Sequence, residues 1–202
     1  MKKIVSIVLA VSMLAVCVTG CKTTTRKQLK PVVLNEVAHS IFYAPQYAAI
    51  ELGYFEDEGL DLTLVNGAGA DKVMTALISG DADIGFMGSE ASIYVYQQGS
   101  DDYAVNFAQL TQRAGNFLVG REAQDNFTWA DLKGKKVLGG RAGGMPEMVF
   151  EYILKKNGID PAADLTIDQS IDFGLTAAAF TGNDADYTVE FEPHATSLEL
   201  EG

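Results

Sequence analysis

The segment His39–Val65, HSIFYAPQYAAIELGYFEDEGLDLTLV, contains one complete helix-to-strand unit. Within it, Ala44–Glu51 predicts a helix that stops near Gly53, because glycine is a common helix terminator. The letters GLDLTLV alternate apolar and polar residues, which indicates a half-buried strand. Phe42 and Tyr43 precede the helix and stand in a loop instead of an apolar run. We therefore expect this loop to form part of the wall of a ligand cleft.

The same alternation of short apolar strands and amphipathic helices continues along the chain from Pro31. PVVLNEV and ADIGFMG predict strands, and ADKVMTALISG and MPEMVFEYILKKNG predict helices. YAVNFAQLT, which is Tyr103–Thr111, predicts a further strand. Ser89 and Thr128 are predicted to cap the helices that follow them. The pattern is that of an α/β protein with mainly parallel sheets.

The N-terminal residues indicate export from the cytoplasm. Lys2 and Lys3 precede the apolar run Ile4–Val18, which is shorter than the roughly 20 residues of a membrane-spanning helix. A charged start, an apolar run of this length and a small residue before the cut are typical of a signal peptide. We expect residues 1–20 to be that peptide.

The cysteines indicate lipid attachment and leave none for a disulfide. Cys21 follows the letters VTG, which resemble the bacterial lipobox, in which the cysteine is acylated and becomes the first mature residue. Residues 21–30 then predict a polar tether. Cys17 leaves with the signal peptide, so no disulfide or cysteine-ligated metal is expected. The predicted location is extracytoplasmic, with a lipid anchor in the bacterial cell membrane.

The charge and the histidine count exclude several classes of function. The net charge is −12, and it becomes −14 without Lys2 and Lys3, because 13 basic and 27 acidic residues then remain. Such an acidic chain is repelled by nucleic acid. His39 and His194 are the only histidines, so a histidine metal site is not expected. No Ser-His-Asp or Cys-His set can be assembled, and we expect neither cofactor nor catalysis.

The order of three motifs resembles a known family. The motifs are YAPQYAAIELGYFEDEGLDLTLV, GADKVMTALISGDADIGFMG and WADLKGKKVLGGRAGG. They look like the substrate-binding lipoproteins of ABC importers. The branch is that of the sulfonate, nitrate and taurine binders and the thiamine-pyrimidine-precursor binders (NMT1/THI5-like). The resemblance implies the type II periplasmic-binding-protein fold, in which two lobes close around a cleft. It also implies a monomer that delivers a small solute to an ABC permease.

The resemblance divides the chain into two lobes and marks one departure. We expect lobe 1 at 31–115 and lobe 2 at 116–202. In the family the chain returns from lobe 2 to complete lobe 1, whereas this sequence stops at Gly202 inside or just after a helix of lobe 2. We therefore expect a C-terminal truncation. Residues 31–202 alone should bind ligand weakly.

In open α/β sheets, ligands bind outside the carboxyl ends of the strands. The strand-to-helix loops His39–Tyr43, Phe86–Glu90 and Arg141–Pro146 are therefore expected to converge on one cleft. The candidate ligand-binding residues in and beside these loops are Asn35, His39, Phe42, Tyr43, Phe86, Ser89, Glu90, Arg141, Gly143, Gly144, Met145 and Glu192.

Each group of candidates has a ligand-binding and a structural interpretation. Phe42 and Tyr43 stack on a planar ligand, or they pack under the helix that follows. Glu90 accepts hydrogen bonds from a ring nitrogen or amine, or it interacts with the helix dipole. Arg141 and the glycine-rich turn that follows it suit an anion at a helix N-terminus, or they form a tight turn beside a surface arginine.

The favoured solute is a planar nitrogen heterocycle of the pyrimidine-precursor type, with a sulfonate, nitrate or taurine as the alternative. Two other classes of function stand beside transport. A pyrimidine-synthesising enzyme of the same fold is disfavoured, because GFMGSEAS lacks lysine and histidine and the chain has no spare cysteine. A sensory surface lipoprotein is the other class.

Overall fold

The computed structural model describes residues 28–113, 115–172, 174–182 and 184–201. These residues form two β-sheets joined and flanked by helices. The strands are β1 Lys30–Glu36, β2 Leu60–Asn66, β3 Ile84–Phe86, β4 Asn116–Gly120, β5 Lys136–Leu138, β6 Thr166–Asp168 and β7 Tyr187–Phe191. The α-helices are α1 Ala44–Glu51, α2 Tyr54–Asp57, α3 Ala70–Ser79, α4 Glu90–Gln97, α5 Met145–Lys156, α6 Thr176–Gly182 and α7 His194–Glu201. Short 3-10 helices cover Ile41–Tyr43 and Trp129–Leu132.

The first sheet has the strand order β2-β1-β3, and its pairs are parallel. β1 is the central strand, so that Leu34 pairs with Leu64 on one side and Ile84 on the other. Parallel neighbours require crossover connections, which the helices between the strands provide. As a result, the carboxyl ends at Asn66 and Phe86 lie at the same edge of the sheet as the end of β1. The parallel α/β prediction is confirmed for this part of the chain.

The second sheet has the strand order β4-β7-β5-β6. β5 runs parallel to both of its neighbours, whereas β4 runs antiparallel to β7. α5 packs on this sheet through Phe150 and Leu154, which are buried together with residues of the 3-10 helix, the strands and the connecting loops. This core comprises Leu132, Val137, Phe150, Leu154, Ile159, Leu165, Tyr187 and Val189.

The helix ends follow local sequence signals. α3 is stopped by Gly80, which adopts the left-handed conformation at φ 82° that side chains disfavour. α5 begins with Met145 and carries Pro146 in its first turn, where the missing amide hydrogen has no helical partner to lose. The amide and hydroxyl of Thr128 donate to the Asp131 carboxylate at 2.7 and 3.0 Å, as expected for a cap at this position.

Two local predictions are wrong. Tyr103–Thr111 forms no strand; its alternation leaves Val105 and Phe107 75% and 77% exposed, and no described strand pairs with it. Ser89 does not cap α4 with its side chain, because its own backbone is already helical at φ −64° and ψ −20°. An N-cap residue instead needs an extended backbone to direct its oxygen at the next amides.

The predicted signal peptide and Cys21 lie outside the described residues, as does most of the predicted tether. Within the part of the chain that the structure describes, no helix is both long and apolar enough to cross a membrane.

We predict that Leu154→Ala lowers the free energy of unfolding by about 2–5 kcal/mol, because it opens a cavity at a side chain that is 0% exposed. Chemical denaturation monitored by circular dichroism measures the change. Leu200→Ala is the matched control, since Leu200 is 82% exposed. Equal effects of the two substitutions would contradict the assignment of this core.

Candidate ligand-binding site

A cavity of about 210 Å³ lies between the two sheets. It opens at the carboxyl ends of β1, β2 and β7, where ligands bind in open α/β sheets. Its described lining residues are Ala38, His39, Ser40, Asn66, Gly174, Glu190, Phe191, Glu192 and His194. Pockets for drug-sized ligands measure roughly 300–1,000 Å³, so this cavity suits a smaller solute.

The wall on the side of the first sheet depends on a buried carboxylate, Glu36, the last residue of β1. Its Oε2 atom accepts hydrogen bonds from Gln46 and Tyr47 at 2.9 and 3.0 Å, and its Oε1 atom lies 3.0 Å from His39 Nδ1. Burial, together with Glu36, raises the pKa of Tyr47 to about 12. The His39 ring also packs on Tyr47 at 4.4 Å between centroids. His39 is therefore held in a defined orientation while it faces the cavity.

The two aromatic residues of the loop before α1 lie at the contact between the sheets. Phe42 stacks on Phe191 of β7, with ring centroids 5.9 Å apart. Tyr43 is buried against Phe86, with centroids 4.5 Å apart. Gly115 leaves room for Phe42, since a β-carbon there would come 2.7 Å from the ring. Neither Phe42 nor Tyr43 lines the described cavity; both pack beside it.

Ser40 and Glu192 join the two sides of the cavity. The Ser40 hydroxyl donates to the carbonyl oxygen of Glu192 at 2.7 Å. The Glu192 carboxylate accepts the amide and hydroxyl hydrogens of Thr196 at 3.1 and 2.9 Å. The side chain predicted to face a ligand therefore stabilises the first turn of α7, while its backbone forms the cavity wall.

Glu190 is the buried carboxylate on the side of the second sheet. It is 2% exposed and accepts hydrogen bonds from Thr176 and Thr188 at 3.0 and 2.7 Å. Burial raises the pKa of the Glu190 carboxyl, and the nearby His194 opposes that shift. Both residues line the cavity.

Arg141 bonds to carboxylates of the protein itself. Its guanidinium donates two hydrogen bonds to Asp71, the first-turn acid of α3, both at 2.7 Å. A third bond of 2.7 Å goes to Asp172, which Lys72 also contacts at 2.7 Å. The hydrogen bonds from Arg141 lower the pKa of Asp71, and Lys72 lowers that of Asp172. We call these four residues the ion-pair network; it bridges the helix after β2 and the loops of the second sheet.

The amides of the glycine-rich turn before α5 also donate hydrogen bonds to groups of the protein itself. The Gly143 amide donates to the Glu147 carboxylate at 3.3 Å, and the Gly144 amide donates to the Arg141 carbonyl at 3.1 Å. Burial raises the pKa of Glu147, whose other oxygen accepts a bond from Gln169 at 3.1 Å. The anion site predicted at this helix start therefore already holds a carboxylate of the same helix.

The remaining candidates lie where the two sheets meet. Glu90 and Asn35 are buried at the carboxyl ends of β3 and β1, and Met145 approaches Glu90 with its backbone amide. Ser89 is exposed at the start of α4. The structure thus brings His39 and Glu192 together at the cavity, and it groups Tyr43, Phe86 and Glu90 behind it.

Four polar lining residues were not among the candidates: Ser40, Asn66, Glu190 and His194. Ser40 lies within the loop His39–Tyr43 that was predicted to face the cleft, and Asn66 directly follows the predicted strand GLDLTLV. In the described residues, no cluster of three His, Cys, Asp or Glu side chains is arranged to hold a metal ion.

The profile of the family described as NMT1/THI5 like matches residues 41–200. The chain belongs to the NMT1/THI5-like family. A protein of Bacillus subtilis (strain 168) named "Putative binding protein YtlA" is 49% identical to this chain over 183 residues. That match covers 91% of this NMT1/THI5-like chain and 54% of YtlA, so the chain spans about half the length of this relative.

Two solved structures share the fold. The alkanesulfonate-binding protein SsuA from Xanthomonas axonopodis pv. citri, bound to MOPS, is 20% identical with a TM-score of 0.60, over 85% of this chain and 58% of SsuA. The Candida albicans CA3427 gene product has the generic periplasmic binding protein fold; it is 17% identical with a TM-score of 0.61, over 86% of this chain and 57% of its own. These likenesses confirm the predicted periplasmic-binding-protein type II fold, with two lobes around a cleft.

We predict that Asp71→Asn lowers the free energy of unfolding by about 0.5–1 kcal/mol at neutral pH and low salt, because it removes a charge from a partly exposed network. The pKa values of Asp71 and Asp172 are lowered in the folded protein. Their contribution is therefore complete above their ordinary pKa of about 3.9 and is lost as the pH falls through the lowered values. Denaturation across pH and salt should show the difference from wild type shrinking in acid and in 1 M salt.

Asp61→Asn is the control for this prediction, since Asp61 is exposed on β2 and is not part of the network. A loss of stability that is the same for both variants, or that does not respond to salt, would show that Asp71 acts by something other than its charge.

Proposed function

We propose that this protein is the extracytoplasmic solute-binding component of an ABC importer, and that its solute is a small planar nitrogen heterocycle of the pyrimidine-precursor type. The lobes at 31–115 and 116–202 close around the solute, and the protein works without catalysis as a monomer. Lipid on Cys21 anchors it to the cell membrane, beside the permease that receives the solute.

The observation that carries the choice of solute is the charge around the cavity. Among its described lining residues there are two glutamates and neither lysine nor arginine. A third carboxylate, Glu36, lies directly behind His39. Arg141 and Lys72 are nearby candidates for binding an anion, and both are bonded to aspartates. Such surroundings favour a neutral or cationic solute that donates hydrogen bonds through N–H groups.

The size and shape of the site support the same choice. About 210 Å³ accommodates a single substituted ring better than a larger cofactor-like molecule. Phe191 and the His39 ring supply flat faces, and Ser40, Asn66 and His194 supply hydrogen-bonding groups at the edges.

A sulfonate is the alternative solute, because SsuA shares the fold. The helix start and arginine that suit an anion are present in this chain, at Gly143, Gly144 and Arg141. A sulfonate must therefore displace Glu147 from the Gly143 amide or break a bond between Arg141 and an aspartate. We expect that requirement to disfavour anions.

We predict that 4-amino-5-hydroxymethyl-2-methylpyrimidine raises the thermal unfolding midpoint of the full-length protein, whereas alkanesulfonates, taurine and nitrate do not. A ligand at 100 times its dissociation constant adds about 2.7 kcal/mol to the folded state, which is several degrees for a domain of this size. A shift with sulfonates alone would replace the heterocycle by the sulfonate alternative. Absence of a shift with every compound would contradict the binding function proposed here.

We predict that His39→Ala weakens binding of that pyrimidine by about two- to tenfold, the contribution of one hydrogen bond in a partly exposed site. Isothermal titration calorimetry measures the affinity. Ile41→Ala is the matched control, because Ile41 belongs to the same loop, is 65% exposed and does not line the cavity. Equal weakening by both substitutions would assign the effect to the loop and not to the imidazole.

A further inference from the structure

Glu90 differs from the other buried carboxylates of the site in lacking a well-formed hydrogen bond. It is 3% exposed, and in the described residues neither of its oxygens accepts a hydrogen bond of normal geometry, although the backbone amides of Glu90 itself and of Met145 favour its charged form. Glu36 and Glu190 are 0% and 2% exposed, yet both accept well-formed bonds on each oxygen. A buried carboxylate without well-formed hydrogen bonds destabilises a fold, which makes Glu90 a candidate for a role in binding.

The chain makes room for this carboxylate at Gly88. A β-carbon at that position would lie 2.0 and 2.2 Å from the two oxygens of Glu90. The carboxylate therefore rests against the backbone of Gly88, and any larger residue there would push it away. Burial raises the pKa of Glu90, while the amide of Met145 and its own amide oppose the shift.

Glu90 lies where the two sheets meet, on the side that the proposed separation of the lobes would uncover. It begins α4, immediately after β3 of the first sheet, whereas Met145 begins α5 of the second. Burial raises the pKa of Tyr43, whose ring packs on Phe86, and the Glu90 carboxylate adds slightly to that shift. Glu36 acts on the same Tyr43 and also bonds His39, which lines the cavity. The carboxylate is thus flanked by aromatic rings and lies within electrostatic reach of the residues behind the cavity wall.

The unpaired buried side-chain atoms of the described residues are all oxygens. Besides the Glu90 carboxylate they are Asn35 Oδ1, Gln46 Oε1 and Asn116 Oδ1. The Gln46 amide is fixed in orientation, because its nitrogen donates to Glu36 at 2.9 Å. A carboxylate has no alternative orientation that supplies a donor. A solute that binds among these atoms must bring the hydrogens.

We propose that Glu90 is the residue that selects the solute: its carboxylate accepts an N–H group of an amino- or amidino-substituted ring, and its negative charge keeps anions away from the start of α5. This inference rests on the proposed function and names the group of the protein that enforces it. The Met145 amide faces Glu90, so an anion entering there meets a carboxylate in low-dielectric surroundings.

The test uses full-length protein and measures the binding of three planar probes by calorimetry: 4-aminopyrimidine, benzamidine and benzenesulfonate. Glu90→Gln keeps the shape and removes the charge. We expect the variant to lose about tenfold or more in affinity for the first two probes, the contribution of a charged hydrogen bond. We expect its affinity for benzenesulfonate to rise. Glu56→Gln is the control, because Glu56 is an exposed glutamate in the first turn of α2.

A second measurement separates solute selection from a structural role. If Glu90 serves binding, its removal relieves an unpaired buried charge, and the thermal midpoint without probe should rise by a few degrees. A residue that only supports the start of α4 would instead lower the midpoint and leave all affinities unchanged, which would overturn the proposal. Wild-type protein that binds the nitrogen probes no better than Glu90→Gln also overturns it and leaves the proposed function intact. Wild-type protein that binds no probe contradicts both.

Discussion

Strand β1 constrains the whole binding region, because it is paired on both sides by parallel strands. Its last residues, Asn35 and Glu36, are therefore flanked by the end of β2 on one side and by β3 on the other. Glu36 is then completely buried, and the chain surrounds it with the donors of His39, Gln46 and Tyr47. The loop before α1 takes its course from these bonds. Its aromatic residues are thereby directed toward the second sheet.

The contacts between the two sheets include charged, polar and aromatic groups. The ion-pair network, the Ser40 hydroxyl on the Glu192 carbonyl and the stack of Phe42 on Phe191 are separate contacts of modest strength. The larger apolar core belongs to the second sheet and its helix α5. Contacts of this kind can be exchanged for contacts with a solute, which is consistent with the opening and closing proposed for this protein.

The elements were predictable wherever local periodicity and turn residues agree. Ala44–Glu51 is helical over the predicted residues, and the parallel first sheet follows from short strands separated by helices. Tyr103–Thr111 has strand alternation but no described partner strand, and pairing is not a property of one segment. The family signature supplied the fold that periodicity alone leaves open. The predicted signal peptide and the predicted lipid attachment at Cys21 lie outside the described part of the chain.

The site was less predictable, because its partners are distant in sequence. Arg141 looks like an anion ligand until Asp71 is seen beside it, and 70 positions separate the two. Glu192 was a candidate ligand-binding residue, yet Thr196 uses its carboxylate at the start of α7. The sequence identifies polar residues at the correct sheet edge. It does not indicate which of them are already bonded to one another.

Gly88 couples the backbone to the side chain of residue 90, so the two positions constrain each other. A side chain at position 88 is incompatible with a carboxylate folded over that peptide, whereas a short residue at position 90 removes the restriction. Glycine at position 88 should therefore accompany glutamate at position 90 in related sequences, and a short residue at position 90 should allow other residues at position 88.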